Sequence, residues 1–298
     1  MMNCETTAKA KHISVPGGRV WMLQCGSGPG LPVVLLNGGP GSPHDYLKPL
    51  EDLGDAREVV FYDQLGCGRS DQPDDPRLWT LPRFVEELRA VIAEVGSTPV
   101  HLLGHSWGAM LAVEYALACP EQVASLVLDS PSLSMRRVRA DMEKLKADMP
   151  EAVRRVIEEC EATGETDSGA YSIATMAFYH RHVCRQPEWP EPLVASQASW
   201  GWQVYRTMWG PSEFTPVGNL SGYEREQQLR QLACPVLYLC GRYDEITPES
   251  TEAYHRQTPG SEFVIFENSA HVKHLEEPQH YLAVVRNFLH KVDSLLKV

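Results

Sequence analysis

Apolar residues fall along the chain in short unbroken runs, separated by stretches with helical spacing. Residues 20–23, 33–36, 58–62, 100–103, 123–128, 236–239 and 263–266 read as strands. They are continuous rather than alternating, which predicts a parallel sheet covered on both faces. Leu81–Val95 and Trp107–Ala118 carry their apolar residues at helical spacing. Near the C-terminus Tyr281, Leu282, Val285, Phe288, Leu289, Val292 and Leu296 form a stripe at three- and four-residue steps, the signature of a half-buried helix. Strand–helix alternation of this kind predicts an α/β doubly wound sheet.

The alternation stops between about 132 and 232. That stretch begins with charged helical sequence, MRRVRADMEKLKADMPEAVRRVIEEC, and continues into a segment dense in aromatics. Trp189, Trp200, Trp202 and Trp209 are four of the seven tryptophans in the chain. We expect a helical cap domain, 132–232, inserted into a core domain formed by 1–131 and 233–298.

Composition narrows the class. The 298 residues, 43% hydrophobic and 22% charged, suit a globular fold and not a disordered or coiled-coil chain. A formal net charge of −12 argues against nucleic acid or an anionic membrane surface as partner, and favours a cationic substrate by steering. The cysteines, at positions 4, 25, 67, 119, 160, 184, 234 and 240, form no CxxC pair, and several sit in apolar runs such as LYLC. Reduced, buried thiols in a reducing compartment are expected. The start MMNCETTAKAKH lacks the apolar segment of a signal peptide, and no apolar run approaches the ~18 residues of a membrane span. The expected location is cytoplasmic; the pattern carries no information on oligomeric state.

Candidate chemistry begins at Gly104-His105-Ser106-Trp107-Gly108, placed between a strand and a helix. In that context G-x-S-x-G forms a sharp elbow that exposes the serine hydroxyl, with the helix start adding positive potential where an oxyanion would form. A nucleophilic serine needs a base, and the base an orienting acid, in the chain order Ser, Asp or Glu, His. Asp244 follows the run ending at Cys240, and His271 follows the run ending at Phe266, so both fall at the same sheet edge as Ser106. Asp129 competes as the acid. His274 competes as the base, although a surface histidine at the start of the last helix is the simpler reading. His105 reads as a supporting residue, and His180 and His182, two apart on a helix, as solvated positions rather than metal ligands.

Directly after residues 33–36 comes NGGPG (37–41). An ordinary turn does not need this much bare backbone. An acyl-transfer site does, because its tetrahedral oxyanion takes one N–H from the residue after the nucleophile, here Trp107, and one from an early strand's loop. We assign the second donor to Gly39, with Gly38 as the rival. Loss of one such donor typically costs ~3 kcal/mol in the transition state.

Taken together, NGGPG, DQLGCGRS (63–70), GHSWG, GPSEF (210–214), GRYDEITP (241–248) and SAH (269–271) resemble the proline iminopeptidase family of α/β-hydrolases, closest to its tricorn-interacting aminopeptidase branch. The resemblance covers nearly the whole chain, including YHRHV…EWPEPL at 179–193. It implies an α/β-hydrolase fold and a serine aminopeptidase that releases an N-terminal proline or other small or apolar residue. The substrates would be short peptides or amino-acid arylamides, cleaved through an acyl-enzyme without metal or cofactor. It assigns Ser106 as nucleophile, Asp244 as acid and His271 as base. It also implies that Glu213 and Glu245 hold the substrate's free α-ammonium. Tyr205, upstream in VYRTMWG, reads either as a lining residue of the same pocket or as a packed cap aromatic. Two other readings stay open: an amidase, esterase or lactone hydrolase with the same triad, and a non-catalytic binder. Asn37 stands where the family usually has His, which bears on substrate range. Asp63 and Arg69 read as polar groups that brace the loops.

Overall fold

The computed structural model describes residues 8–96 and 99–296; Cys4 lies outside the described residues. Eight strands form one sheet: β1 (Lys9–Val15), β2 (Gly18–Cys25), β3 (Gly30–Leu36), β4 (Arg57–Tyr62), β5 (Val100–His105), β6 (Val123–Asp129), β7 (Val236–Gly241) and β8 (Glu262–Phe266). Their order is β1-β2-β4-β3-β5-β6-β7-β8. Only β2 runs against its neighbours, and every pairing from β4 through β8 is parallel. The seven predicted runs all lie within β2–β8. β1 escaped the reading because its sequence KAKHISV buries only Ile13 and shows no apolar run.

Pleating divides each run between two cores. Val34, Leu36, Val60, Leu102, Leu126 and Tyr238 face one side, while Val33, Leu35, Val59, Leu103, Val127 and Leu237 face the other. The first side is covered by α1 (Leu81–Val95) and α2 (Trp107–Ala118). In α2 nearly every residue is buried, as expected of a helix apolar all round. Outside the buried set are Leu117, Ala118 and Glu114, which forms an ion pair with Arg225 at 2.5 Å.

Between β6 and β7 come α3 (Met135–Ala147), α4 (Glu151–Thr163), α5 (Gly169–His182), α6 (Glu191–Ala198) and α7 (Trp202–Met208). The aromatic-rich stretch is therefore helical, with a single isolated bridge, Ser134 to Glu224, as its only extended pairing among the described residues. The remaining helices are α8 (Pro248–Gln257), the short α9 (Lys273–Glu276) and α10 (Pro278–Leu296). The second core is closed by α10, through Tyr281, Val285, Phe288, Leu289 and Val292, and by a 3-10 stretch, His44–Asp55. Leu296, the last member of the predicted stripe, is exposed.

A buried polar cluster fastens α10 to the sheet. Asp293 meets Arg57 Nη2 at 3.0 Å and His101 Nε2 at 3.0 Å, and accepts the Leu31 N–H at 3.3 Å. Removing one partner of a buried pair strands the other's charge and typically costs ~3–5 kcal/mol. Asp293→Ala should therefore lower the unfolding free energy by about 3–5 kcal/mol, read by chemical denaturation. Asp293→Asn, which keeps hydrogen-bonding capacity, should cost less.

Candidate active site

Because the strands are parallel, the segments that follow β3, β5, β6, β7 and β8 leave from one edge. Register brings them level: Leu36 pairs with Gly104, His105 with Asp129, Asp129 with Leu239, and Gly241 with Phe266. Ser106 sits in the elbow between β5 and α2 at φ 55° and ψ −116°, a conformation L-residues rarely adopt. The turn is this tight only because its flanks are bare. A Cβ on Gly104 would lie 2.3 Å from the Gly108 oxygen, and one on Gly108 would lie 2.1 Å from the Leu36 oxygen.

The His271 ring is held by Asp244. Its Nδ1–H donates to Oδ1 at 2.7 Å. That carboxylate also accepts the Ile246 and Gly241 N–H groups, at 3.0 and 3.2 Å, and the Ser130 hydroxyl at 2.5 Å. Burial alone would raise the Asp244 pKa. The positive charges of His271 and Lys273 and these hydrogen bonds overcome it and hold the group well below the usual carboxylate range. Ser106 and His271 border one cavity of about 430 Å³. The Ser106 hydroxyl makes no hydrogen bond to a described residue, and His271 Nε2 lies 3.5 Å from Glu245 Oε1 instead. Contacts between a nucleophile and its base are often loose until substrate is bound.

The glycine loop separates its two candidate donors. The Gly38 N–H donates to the Tyr46 hydroxyl at 2.7 Å, whereas the Gly39 N–H has no partner among the described residues. Gly39 sits at φ +107°, open to glycine and strained for other residues. The Trp107 N–H is likewise unpaired, as the first amide of a helix must be. Tyr46 in turn donates to His105 Nδ1 at 2.9 Å, which leaves the His105 proton on Nε2, donated to the His271 carbonyl at 3.0 Å. The elbow histidine thus bridges the glycine loop and the loop that carries His271.

The rivals are occupied elsewhere. Asp129 pairs with Lys273 and accepts the Tyr281 hydroxyl at 2.7 Å. His274 is buried rather than at the surface, because α9 turns it inward to donate from Nε2 to the Tyr46 carbonyl at 3.1 Å. His182 Nδ1 donates to the Tyr243 carbonyl at 2.9 Å, and His180 is exposed. Asp63 braces the loops through the His44 and Arg69 N–H groups, each at 2.8 Å. Asn37 donates to the Tyr62 carbonyl at 2.9 Å and does not border the cavity.

Comparison with known proteins agrees with this architecture. A family profile described as the alpha/beta hydrolase fold matches residues 32–278. A proline iminopeptidase of Heyndrickxia coagulans is 45% identical, covering 94% of this chain and 98% of that protein. One from Saccharolobus solfataricus is 38% identical over 88% of this chain and 86% of its own. The crystal structure of a proline iminopeptidase from Mycobacterium smegmatis superposes with a TM-score of 0.90 at 33% identity, covering 97% of this chain and all of the other. The chain belongs to the proline iminopeptidase family of α/β-hydrolases.

In this iminopeptidase-family chain, the inserted segment is stitched to the loops of the sheet edge. Val183 O accepts the His271 and Val272 N–H groups at 3.0 and 3.1 Å, and His182 O accepts the Glu245 N–H at 3.2 Å. Gly201 N–H reaches the Gly41 carbonyl at 2.8 Å, and the Ser196 hydroxyl accepts the Tyr46 N–H at 2.9 Å. The cavity lies between the segment and the edge. Glu213 and Tyr205 come to it from the segment, and Glu245 from the loop after β7. Tyr205 donates its hydroxyl to Glu213 Oε1 at 2.5 Å. Glu245 Oε2 is buried without a hydrogen-bond partner among the described residues. Burial raises the pKa of both carboxyls, and Glu213 raises that of Glu245 further.

These acids act on the imidazole. Burial pulls the His271 pKa down, but Asp244 and Glu245 outweigh it and carry it up to about 9. An unperturbed histidine titrates near 6.5. The difference comes first from Asp244, with Glu245 adding to it from 3.5 Å off Nε2. His274 moves the opposite way, to about 3, because burial and the neighbouring His105 outweigh the pull of Asp129. An NMR titration of the ring resonances should therefore find His271 losing its proton near pH 9, with His274 and His105 neutral from pH 6 upward.

Proposed function

We propose that this protein is a serine aminopeptidase of the iminopeptidase type, releasing an N-terminal proline or another small or apolar residue from short peptides or arylamides. The observation that carries the reading is the pair Glu213 and Glu245, which border the cavity of Ser106 and His271 with no lysine or arginine paired to either among the described residues. Two buried acids with unmet bonding capacity suit a compact cation, and the α-ammonium of a peptide supplies one. Charge-assisted bonds to it are worth ~1.5–3 kcal/mol each. An ammonium held there leaves only the first peptide bond near Ser106, which makes the cleavage exopeptidic.

In this mechanism His271 Nε2 takes the Ser106 proton as Oγ attacks the carbonyl carbon, and Asp244 keeps the ring oriented and stabilises the imidazolium. The Gly39 and Trp107 N–H groups receive the oxyanion. The imidazolium then protonates the leaving amine, and water attacks the acyl-enzyme by the same route reversed. The segment 132–232 acts as the cap: it carries Glu213 and Tyr205 and closes the cavity from above. Substrate also prepares the base. An ammonium bonded to Glu245 draws that carboxylate's charge away from Nε2, so the imidazole gives up its proton at lower pH.

Four measurements test the reading. Ser106→Ala should reduce kcat on prolyl or alanyl naphthylamide by at least about 10⁴-fold while the fold persists. Glu213→Gln or Glu245→Gln should raise KM for free-amine substrates by roughly 10–100-fold, the loss of one charge-assisted bond, and change simple ester hydrolysis far less. Equal rates on N-acetylated and free-amine substrates would refute the ammonium site. The acidic limb of kcat should lie at lower pH than that of kcat/KM, because kcat reports the occupied site and kcat/KM the free enzyme.

A further inference from the structure

Lys273 is a buried cation at the meeting point of the three loops that carry the site. Its side chain has no exposed surface. Nζ pairs with Asp129 after β6, bonds the Ser130 hydroxyl beside it, lies 3.4 Å from Asp244 Oδ2 after β7, and donates to the His271 carbonyl at 3.1 Å after β8. Ser130 is one of two non-glycine residues at positive φ among the described residues, the other being Ser106. Its hydroxyl stands between two carboxylates, 2.5 Å from Asp244 Oδ2 and 3.5 Å from Asp129 Oδ1. Buried acids this close cannot both stay ionised without a counter-charge.

We infer that Lys273 is a positioning residue for the reaction: it neutralises Asp129, so that Asp244 alone remains the free anion that orients His271. Its ammonium acts through Asp244 and Ser130 and does not border the cavity. The arrangement settles which of two candidate acids serves the base. Asp129, one strand closer to Ser106, is consumed by a permanent cation and by Tyr281. Asp244 is left with a bond from a hydroxyl that Lys273 also holds. The inference rests on the assignment of Asp244 and His271 as acid and base.

The charges around these groups define the expected direction. Facing Lys273 are Asp129 and Asp244, with the Cys240 thiol and the Tyr281 hydroxyl behind them, and Glu276 lies further out. Facing His271 are Asp244, Glu245, His105 and Lys273, with Glu213 from the inserted segment; His182 lies toward Asp244. Lys273 is a cation acting against the imidazolium, and it also favours the ionised form of Asp244. Removing it shifts both groups toward their protonated forms. Removing Asp129 leaves the ammonium uncompensated and shifts both the other way.

The test is the pH dependence of kcat/KM on alanyl naphthylamide for wild type, Lys273→Met, Asp129→Asn and the double variant, with thermal melts of each. Lys273→Met should lose at least about tenfold at pH 7.5 and move its acidic limb up by about one pH unit, since one unit is a tenfold change in the fraction of free base. Asp129→Asn should move the limb down. The double variant, with the charge count restored, should regain much of what Lys273→Met loses and return the limb toward wild type. A limb fixed in both single variants, or a double variant no better than Lys273→Met, overturns the inference. If Lys273→Met does not fold, Asp129→Asn decides alone: a downward limb supports the inference, and a fixed or upward limb overturns it. A wild type with no single-proton limb, or an active Ser106→Ala, would overturn the acid–base assignment itself; an intact wild-type limb that ignores residues 129 and 273 overturns only the role of Lys273.

Discussion

Adjacent strands from β4 to β8 run in one direction, and everything chemical in this protein depends on that. Parallel pairing sends each strand's carboxyl end to the same edge, and ladder register sets how far each following loop extends beyond it. Residues far apart in sequence, Gly39, Ser106, Asp129, Asp244 and His271, are thereby delivered to one rim. No single loop builds the site, so loop variation can alter its substrate without disturbing the sheet that aligns it.

The rim carries a concentrated set of buried charges, and its behaviour follows from their balance. Lys273 pairs closely with Asp129 and stands 3.4 Å from Asp244, which in turn holds the His271 ring. Glu213 and Glu245 have no lysine or arginine paired to them among the described residues; Glu245 lies 3.5 Å from the His271 imidazole and Glu213 accepts the Tyr205 hydroxyl. The lower pair is complete within the protein. The upper pair, next to the cavity, is not, and under the proposed function this asymmetry is what the substrate's ammonium uses. It also accounts for an imidazole whose pKa lies near 9 while its neighbours, His105 and His274, are held neutral by the same burial. A nearby anion, not depth in the protein, separates the three rings.

Backbone hydrogen bonds keep these charges in place. Val183 and His182, at the end of α5, hold the loops of His271 and Glu245, and Gly201 holds the glycine loop. The chain from Gly38 through Tyr46 and His105 to the His271 carbonyl joins the glycine loop to the loop of His271. Using the Gly38 amide for that bridge leaves the Gly39 amide without a partner among the described residues.

Much of this was legible in the amino-acid order. Seven strands, the elbow, the inserted helices and the motif residues announce themselves locally, because apolar runs, helical spacing and a G-x-S-x-G between strand and helix are short-range patterns. β1 was not legible, since an edge strand that buries only Ile13 has no run to read. The 3-10 stretch His44–Asp55 was hidden by its internal Pro49, and α8 by a sequence, PESTEAYHRQ, with little apolar content. Only the tertiary structure could decide among equivalent residues. Asp129 or Asp244, His271 or His274, Gly38 or Gly39 are pairs that local sequence treats alike. The fold gives the members of each pair different partners: Lys273 for Asp129, Asp244 for His271 and Tyr46 for Gly38. Chemical type and position on the rim are local properties of a sequence, whereas protonation and bonding depend on which charges and dipoles the fold brings within a few ångströms.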